Sequence, residues 1–197
     1  SETSIIYASN KSMIAKLKGD KDSYYLTFDE IPQSVKDAMV VTEDRDFYKH
    51  EGVNFLSTAK AAVMLVESKL RHQDISRGGS TITQQLAKNV FLSNERSYER
   101  KVREIFIALE LEKKYTKDQI LEFYINNIYF ANGYYGIEAA SKGYFNKSAK
   151  DLDLAEAAFL CSIPNRPSLY NPLEHYKNTL KRKSRILKQM LDADCIT

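Results

Sequence analysis

The sequence predicts a mainly α domain with a small β-prone hairpin at its N-terminus, and three observations carry that expectation. From Ile31 onward, apolar residues recur at helical spacing. Three segments open with a Ser/Thr/Asp residue followed three positions later by Glu or Gln: Thr81 with Gln84, Thr116 with Gln119, and Asp153 with Glu156. β-prone runs broken by turn residues are confined to the first thirty positions. The 197 residues include 43% hydrophobic and 28% charged side chains but only seven Gly and four Pro, the composition of a helix-rich folded domain with room for one core.

Residues 4–28 carry turn residues at Ser9-Asn10-Lys11 and Lys18-Gly19-Asp20, which suit a short hairpin. Pro32 then stands at a helix start, and Val35, Met39 and Val40 keep helical spacing up to the charged stretch TEDRDFYKHEG. Residues 55–70, FLSTAKAAVMLVESKL, are apolar around more than half of a helix, which fits burial in a core or contact with lipid. RHQDISRGG reads as a loop and STITQQLAKNVFL as the helix after it.

Residues 97–115 form a further helix, with Val102, Ile105, Phe106 and Leu109 as its expected buried stripe. Ile107, Ala108 and Leu111 make the opposite side apolar as well, so Arg100, Lys101 and Glu104 are expected at the edge of a packed region. An Arg100–Glu104 pair at i,i+4 is their simplest structural use. ILEFYINNIYF and LAEAAFLCSI continue the helical series, the second stopping at Pro164. The last helix, residues 174–192, carries Tyr176, Leu180, Leu187 and Leu191 as an apolar stripe. Its Lys177, Lys181, Arg182, Lys183, Arg185 and Lys188 read as a solvated outer face rather than a surface for nucleic acid or anionic lipid.

The net charge of +3 comes from 29 basic and 26 acidic residues, so local clusters must carry any electrostatic role. No run approaches the roughly 20 apolar residues of a membrane span. Ser1 opens no recognisable signal peptide, and the abrupt start suggests a piece of a longer chain. Cys161 lies in an apolar run and reads as a buried thiol; with Cys195 far away, the cysteines do not define a compartment.

Glu43 stands directly after an apolar helix end, among more charges than solvation alone requires. Gly78, Gly79, Ser80 and Thr81 offer backbone approach, hydroxyls and helix N-terminal amides, with Gln85 and Lys88 along the same helix. Such an assembly suits an oxygen-rich anion, although the P-loop spacing is absent. Glu43 and Glu104 are two candidate carboxylates, and Arg45, Lys88, Arg100 and Lys101 are candidate cations. Paired carboxylates suit glycosyl chemistry, and cations suit a phosphate leaving group. Together they point to a sugar-diphosphate donor.

EDRDFYKHEGVN, GGSTITQQLAKNVFL, RKVREIFIALELEKKYTKDQILEFYINNIYF, NGYYGIEAASKGYFNK and LAEAAFLCSIPNRPSLYNP resemble, in order, the five motifs of the peptidoglycan glycosyltransferases, over roughly residues 30–190. That family covers monofunctional enzymes and the N-terminal domain of class A penicillin-binding proteins. The resemblance implies a single lysozyme-like, two-lobed helical domain over residues 1–197. Residues 1–30 would be its β-prone segment, about 51–78 a smaller membrane-proximal lobe, and the remainder the larger lobe. The polar insertion LRHQDIS makes the connection from His50 to Gly78 longer than the family pattern leads one to expect.

The implied reaction is polymerisation of lipid II into β-1,4-linked strands by inverting transfer, with release of undecaprenyl diphosphate. Glu43 matches the general base and Glu104 the second carboxylate, which acts at the diphosphate or its metal. Lys88, Arg100 and Lys101 match residues that hold the donor diphosphate. Ser80, Thr81 and Gln85 match donor-site contacts shared with the inhibitor moenomycin, while Asp44, Arg45, Phe47 and His50 lie in the first motif with Glu43 and count with the substrate site, Asp44, Phe47 and His50 in more structural roles. Mg²⁺ or Mn²⁺ is implied as cofactor, with Glu104 as a metal contact through the donor diphosphate. Expected partners are lipid II, the growing glycan chain, the membrane surface and cell-wall synthesis proteins, without nucleic acid. The expected location is the extracytoplasmic face of the cell membrane, with an N-terminal anchor preceding this stretch. A lysozyme-like hydrolase or lytic transglycosylase, and a non-catalytic lipid-diphosphate-binding module, are the competing readings.

Overall fold

Helices begin where local capping chemistry places them. The computed structural model describes residues 10–19, 24–54, 79–93 and 97–197. Among these residues the α-helices are α1 Asn10–Lys18, α2 Gln33–Glu43, α3 Ile82–Phe91, α4 Tyr98–Lys114, α5 Lys117–Asn127, α6 Ile137–Phe145, α7 Leu154–Cys161, α8 Pro167–Tyr170 and α9 Tyr176–Asp192. Short 3-10 turns lie at Phe28–Glu30 and Ala149–Asp151. The β structure in the described residues is an isolated antiparallel bridge between Tyr129 and Tyr135. The expected lobe at 51–78, with its apolar helix and the LRHQDIS insertion, falls almost wholly outside the described residues.

All three sequence-read capping boxes form. Thr81, Thr116 and Asp153 accept hydrogen bonds from the backbone N–H of Gln84, Gln119 and Glu156. The side chains of those three residues return the bond to the cap backbone. Each cap satisfies orphan donors of the first turn and contributes about 1 kcal/mol.

Helix α5 is the axis of one half of the domain. Its Ile120, Leu121, Phe123, Tyr124 and Ile125 are buried, and α1, α3, α4 and α6 pack around it. In the other half α2, α7 and α9 pack on one another as a triangle. A single apolar core runs through both halves. The C-terminal end of α2 lies at their junction, and this position places Glu43.

Three expectations are corrected. Asn10–Lys18 is helical, where the β-prone pattern suggested part of a hairpin; residues 1–9 and 20–23 lie outside the described residues. Met13 and Leu17, one turn apart, are buried at 3% and 0% exposure, and docking this i,i+4 stripe on α5 outweighs local β preference. On α4 the core takes Glu104, Ile107, Ala108 and Leu111, whereas Phe106 from the expected stripe is 59% exposed. Both faces of α4 are apolar, so periodicity alone does not choose between them. The chain at Gly52 approaches the α4 backbone closely at Ala108. Gly52 has φ +100°, and a Cβ built there would lie 3.1 Å from the Ala108 carbonyl oxygen. On α9, Thr179, Ile186 and Met190 face inward, while Tyr176 and Leu191 are exposed.

Candidate active site

Glu43 is the last residue of α2, and its side chain is 3% exposed. Three other parts of the fold converge on its carboxylate. Gln85 of α3 donates from Nε2 to Oε2 at 3.4 Å, and Asn165, in the loop between α7 and α8, donates to the same oxygen at 3.5 Å. Arg182 of α9 reaches Oε1 at 3.5 Å and the Thr42 hydroxyl at 3.5 Å. The buried Tyr124 hydroxyl donates to Gln85 Oε1 at 3.0 Å, which turns the Gln85 amide nitrogen toward Glu43. Among the described residues, these contacts to the carboxylate are long for hydrogen bonds. Burial pushes the Glu43 carboxyl above its ordinary range, against the opposing pull first of Arg182 and then of the amides. This carboxylate therefore holds a proton more readily than a solvated one.

Arg182 escaped the sequence reading, which placed it on a solvated face. Its side chain is 13% exposed, and its guanidinium lies over the Tyr170 ring, 5.0 Å from the centroid. The guanidinium Nε is buried without a hydrogen-bond partner among the described residues. The available signal was positional: Arg182 is four residues before Ile186 and three after Thr179, both inward-facing.

Asp44, Phe47, His50 and Thr81, from the first two motifs, each meet partners within the fold. Phe47 is fully buried, and Lys117 lies over its ring at 4.7 Å from the centroid. Asp44 Oδ2 lies 2.6 Å from His50 Nε2 and accepts the Ile82 N–H at 3.0 Å. Thr81, 2% exposed, donates its hydroxyl to the Gly52 carbonyl at 2.6 Å. The Thr81 and Gln84 amides are also taken, by the capping box. The start of α3, which the sequence suggested as a phosphate cradle, thus already satisfies these donors internally. Asp44 supplies the negative charge that its dipole favours. Tyr48, by contrast, is exposed and donates to Asp118 at 3.0 Å, and Arg45 is exposed in the same turn.

Glu104 forms the centre of a second group. Lys101 Nζ is 2.7 Å from its Oε1 and 3.0 Å from the Ser80 hydroxyl. The expected Arg100–Glu104 pair is replaced by this i,i+3 pair. Arg100 turns instead to the Ser93 carbonyl at 3.5 Å. Glu43 and Glu104 therefore sit in separate hydrogen-bond groups, Glu43 with Gln85, Asn165 and Arg182, and Glu104 with Lys101, which also reaches Ser80. Lys88 lies three residues beyond Gln85 on α3 and lines the same cleft, whose volume is about 900 Å³. That lining includes Lys16, Lys18 and Lys88 and, among the described residues, no Asp or Glu. It therefore suits an anionic ligand.

No group of three or more His, Cys, Asp or Glu side chains able to hold a metal occurs among the described residues. Mg²⁺ typically needs only one or two carboxylates when substrate phosphates supply further ligands, and the single carboxylate of Glu104 fits that arrangement. No helix among the described residues is long and apolar enough to cross a membrane.

Residues 10–191 match the family model described as Transglycosylase. The chain is 43% identical over 197 residues to penicillin-binding protein 4 of Bacillus subtilis, covering 100% of this chain and 31% of that protein. It is 43% identical over 179 residues to penicillin-binding protein 1A of Aquifex aeolicus, covering 91% of this chain and 24% of that protein. Penicillin-binding protein 1A of Pseudomonas aeruginosa is 44% identical over 186 residues, 94% of this chain and 22% of that protein. The chain thus spans between 22% and 31% of the length of these curated relatives. With a matched region that includes every helix of the cleft, the chain belongs to the transglycosylase family, the peptidoglycan glycosyltransferases that its five motifs resemble.

Proposed function

We propose that this domain polymerises lipid II, with Glu43 as the general base of an inverting transfer. The observation that carries the proposal is a buried carboxylate, held among the described residues by long hydrogen bonds and raised in pKa, beside a cleft whose described lining has three lysines and no acid. A base works best with a pKa near the operating pH, and burial moves Glu43 in that direction. Arg182 opposes the shift and so favours the ionised form that a base needs.

In the proposed step, Glu43 accepts the proton of the acceptor sugar 4-hydroxyl. The hydroxyl oxygen attacks the donor anomeric carbon from the face opposite the diphosphate. The carbon–oxygen bond to the diphosphate breaks, and undecaprenyl diphosphate leaves with the electron pair. The proton remains on Glu43 until it passes to solvent. Lys88, Lys101 and Arg100 favour departure by neutralising the diphosphate, which a preorganised cationic site does more effectively than water. Glu104 would hold Mg²⁺ or Mn²⁺ through the donor diphosphate, and the ion would add charge neutralisation at the leaving group. Asp44, His50, Phe47 and Thr81 fix the relation of α2 to α3, and so of Glu43 to Gln85.

The partners in this reading are lipid II, the growing strand, the membrane surface at the extracytoplasmic face, and other cell-wall synthesis proteins. Incubation with lipid II and Mg²⁺ followed by gel analysis tests it. Glycan strands are expected from the wild-type protein and none from Glu43→Gln. Cleavage of preformed strands would support a hydrolase, binding without turnover a non-catalytic module, and a wild-type rate in the variant would remove Glu43 from the chemistry.

A further inference from the structure

Tyr124 of α5, to which the sequence reading gives no role, borders the cleft but is 0% exposed, so it acts on a bound ligand only through other groups. Its hydroxyl donates to Gln85 Oε1 at 3.0 Å, and Nε2 of the same amide donates to Glu43 Oε2 at 3.4 Å. Side chains from α5, α3 and α2 thus form one chain of donors that ends on the carboxylate. Burial first, and then the charge of Glu43, raises the Tyr124 phenol well above its ordinary range, so it keeps its proton to donate.

A glutamine amide can turn either its oxygen or its nitrogen toward a neighbour, and the two act oppositely on a carboxylate. A buried hydroxyl needs an acceptor, and Gln85 Oε1 is the one that Tyr124 has among the described residues. Turning the amide over would take that acceptor away and set Oε1 against Glu43 Oε2. Ionised Glu43 opposes such a turn by itself, oxygen against oxygen. Protonated Glu43 does not, because its own O–H can donate to Oε1. Tyr124 therefore holds the amide nitrogen toward Glu43 in both protonation states. Asn165 and Arg182 donate as well, so every partner of the carboxylate among the described residues is a donor.

We propose that Tyr124 is a positioning residue for the reaction: through Gln85 it presents Glu43 with a fixed donor, which favours the ionised carboxylate and helps the proton taken from the acceptor to leave before the next transfer. The proposal rests on the reading of Glu43 as the base of a lipid II polymerase. The charged and titratable groups around the Tyr124 hydroxyl are Glu43, Asp44, Cys161 and Arg182. Arg182 reaches Glu43 from α9, Asp44 is tied to His50 and the Ile82 N–H, and the buried Cys161 thiol of α7, pushed up by burial, donates to the Val35 carbonyl at 3.8 Å. Removing only the Tyr124 hydroxyl leaves all four in place.

The test is Tyr124→Phe, which keeps the ring, with two readouts. One is the pH–rate profile of strand synthesis from lipid II. The other is the titration of the Glu43 carboxyl by NMR on protein carrying isotope-labelled glutamate, its signal assigned by its loss in Glu43→Gln. Both the acidic limb and the carboxyl titration should move upward by about half a pH unit, with kcat on that limb about threefold lower and KM for lipid II unchanged. Gln85→Met should raise the carboxyl titration in the same way, and adding Tyr124→Phe to it should raise it no further. A ring-fluorinated tyrosine in place of Tyr124, a stronger donor of nearly the same shape, should move both readouts downward, and it carries the test if Tyr124→Phe does not fold. An unmoved carboxyl titration in both Tyr124 variants would overturn the proposal, as would a full further shift in the Gln85→Met background or a change in KM alone. A wild-type protein that makes no strands while Glu43 titrates as expected in the variants would instead overturn the polymerase reading and leave the positioning role standing.

Discussion

Glu43 and Glu104 are equally buried, each side chain 3% exposed, yet the fold gives them opposite surroundings. Glu104 has a short ion pair to Lys101 at 2.7 Å, formed within one helix. Glu43 has three donors at 3.4 to 3.5 Å, brought from α3, α9 and the loop after α7. Burial behind long contacts leaves Glu43 poised to take a proton. Burial alone therefore does not distinguish the two carboxylates; the tightness and origin of their partners do.

The largest effect should come from Glu43→Gln, which keeps the shape and removes the base. Strand synthesis is expected to fall by about 10² to 10⁴, with folding intact, as measured by initial rates and thermal melting. Arg182→Ala comes next. Its charge lowers the Glu43 pKa, so its removal should move the acidic limb of the pH–rate profile upward and reduce the rate at neutral pH about tenfold, with Arg182→Lys restoring part of it. An unmoved acidic limb would mean that Arg182 only packs.

Lys101→Ala leaves the buried Glu104 without its ion pair. Because Lys101 is itself 44% exposed, the pair is partly screened, and the loss of stability should be about 1 to 2 kcal/mol in denaturant unfolding. Glu104→Gln should cost less, because the remaining lysine can reach solvent. Equal costs for the two would erase the contrast drawn between the two carboxylates.

The most delicate test is the pH dependence of stability. The folded-state pKa of Glu43 is raised, so protonation favours the folded protein. That contribution is fully present below the ordinary carboxylate range and is lost as pH rises through the raised value. Glu43→Gln should therefore lack this fall in melting temperature, and wild-type and variant curves that remain parallel across the range would contradict the loose solvation of Glu43.

Local chemistry was legible in the sequence because its partners lie within one helical turn. The capping boxes at Thr81, Thr116 and Asp153 each need only four consecutive residues, and all three form as read. The five motifs likewise identified the family from short runs of residues, and the comparison with known proteins agrees. Face selection was less legible. Both sides of α4 are apolar, so the choice of Ile107, Ala108 and Leu111 depended on what packs against them. The same limit hid the role of Arg182, which lies 139 residues from Glu43 and resembles its basic neighbours on α9 until the helix is docked.

The sequence by itself determined the capped starts of α3, α5 and α7, the family and the candidacy of Glu43 and Glu104, because those signals are local or carried by motif order. Tertiary structure alone decided that Asp44, Phe47 and Thr81 are buried, that Lys101 pairs with Glu104, and that Arg182, Gln85 and Asn165 converge on Glu43. A carboxylate's proton affinity depends on the water it loses and the charges it meets, and both are set by chain segments far apart in sequence.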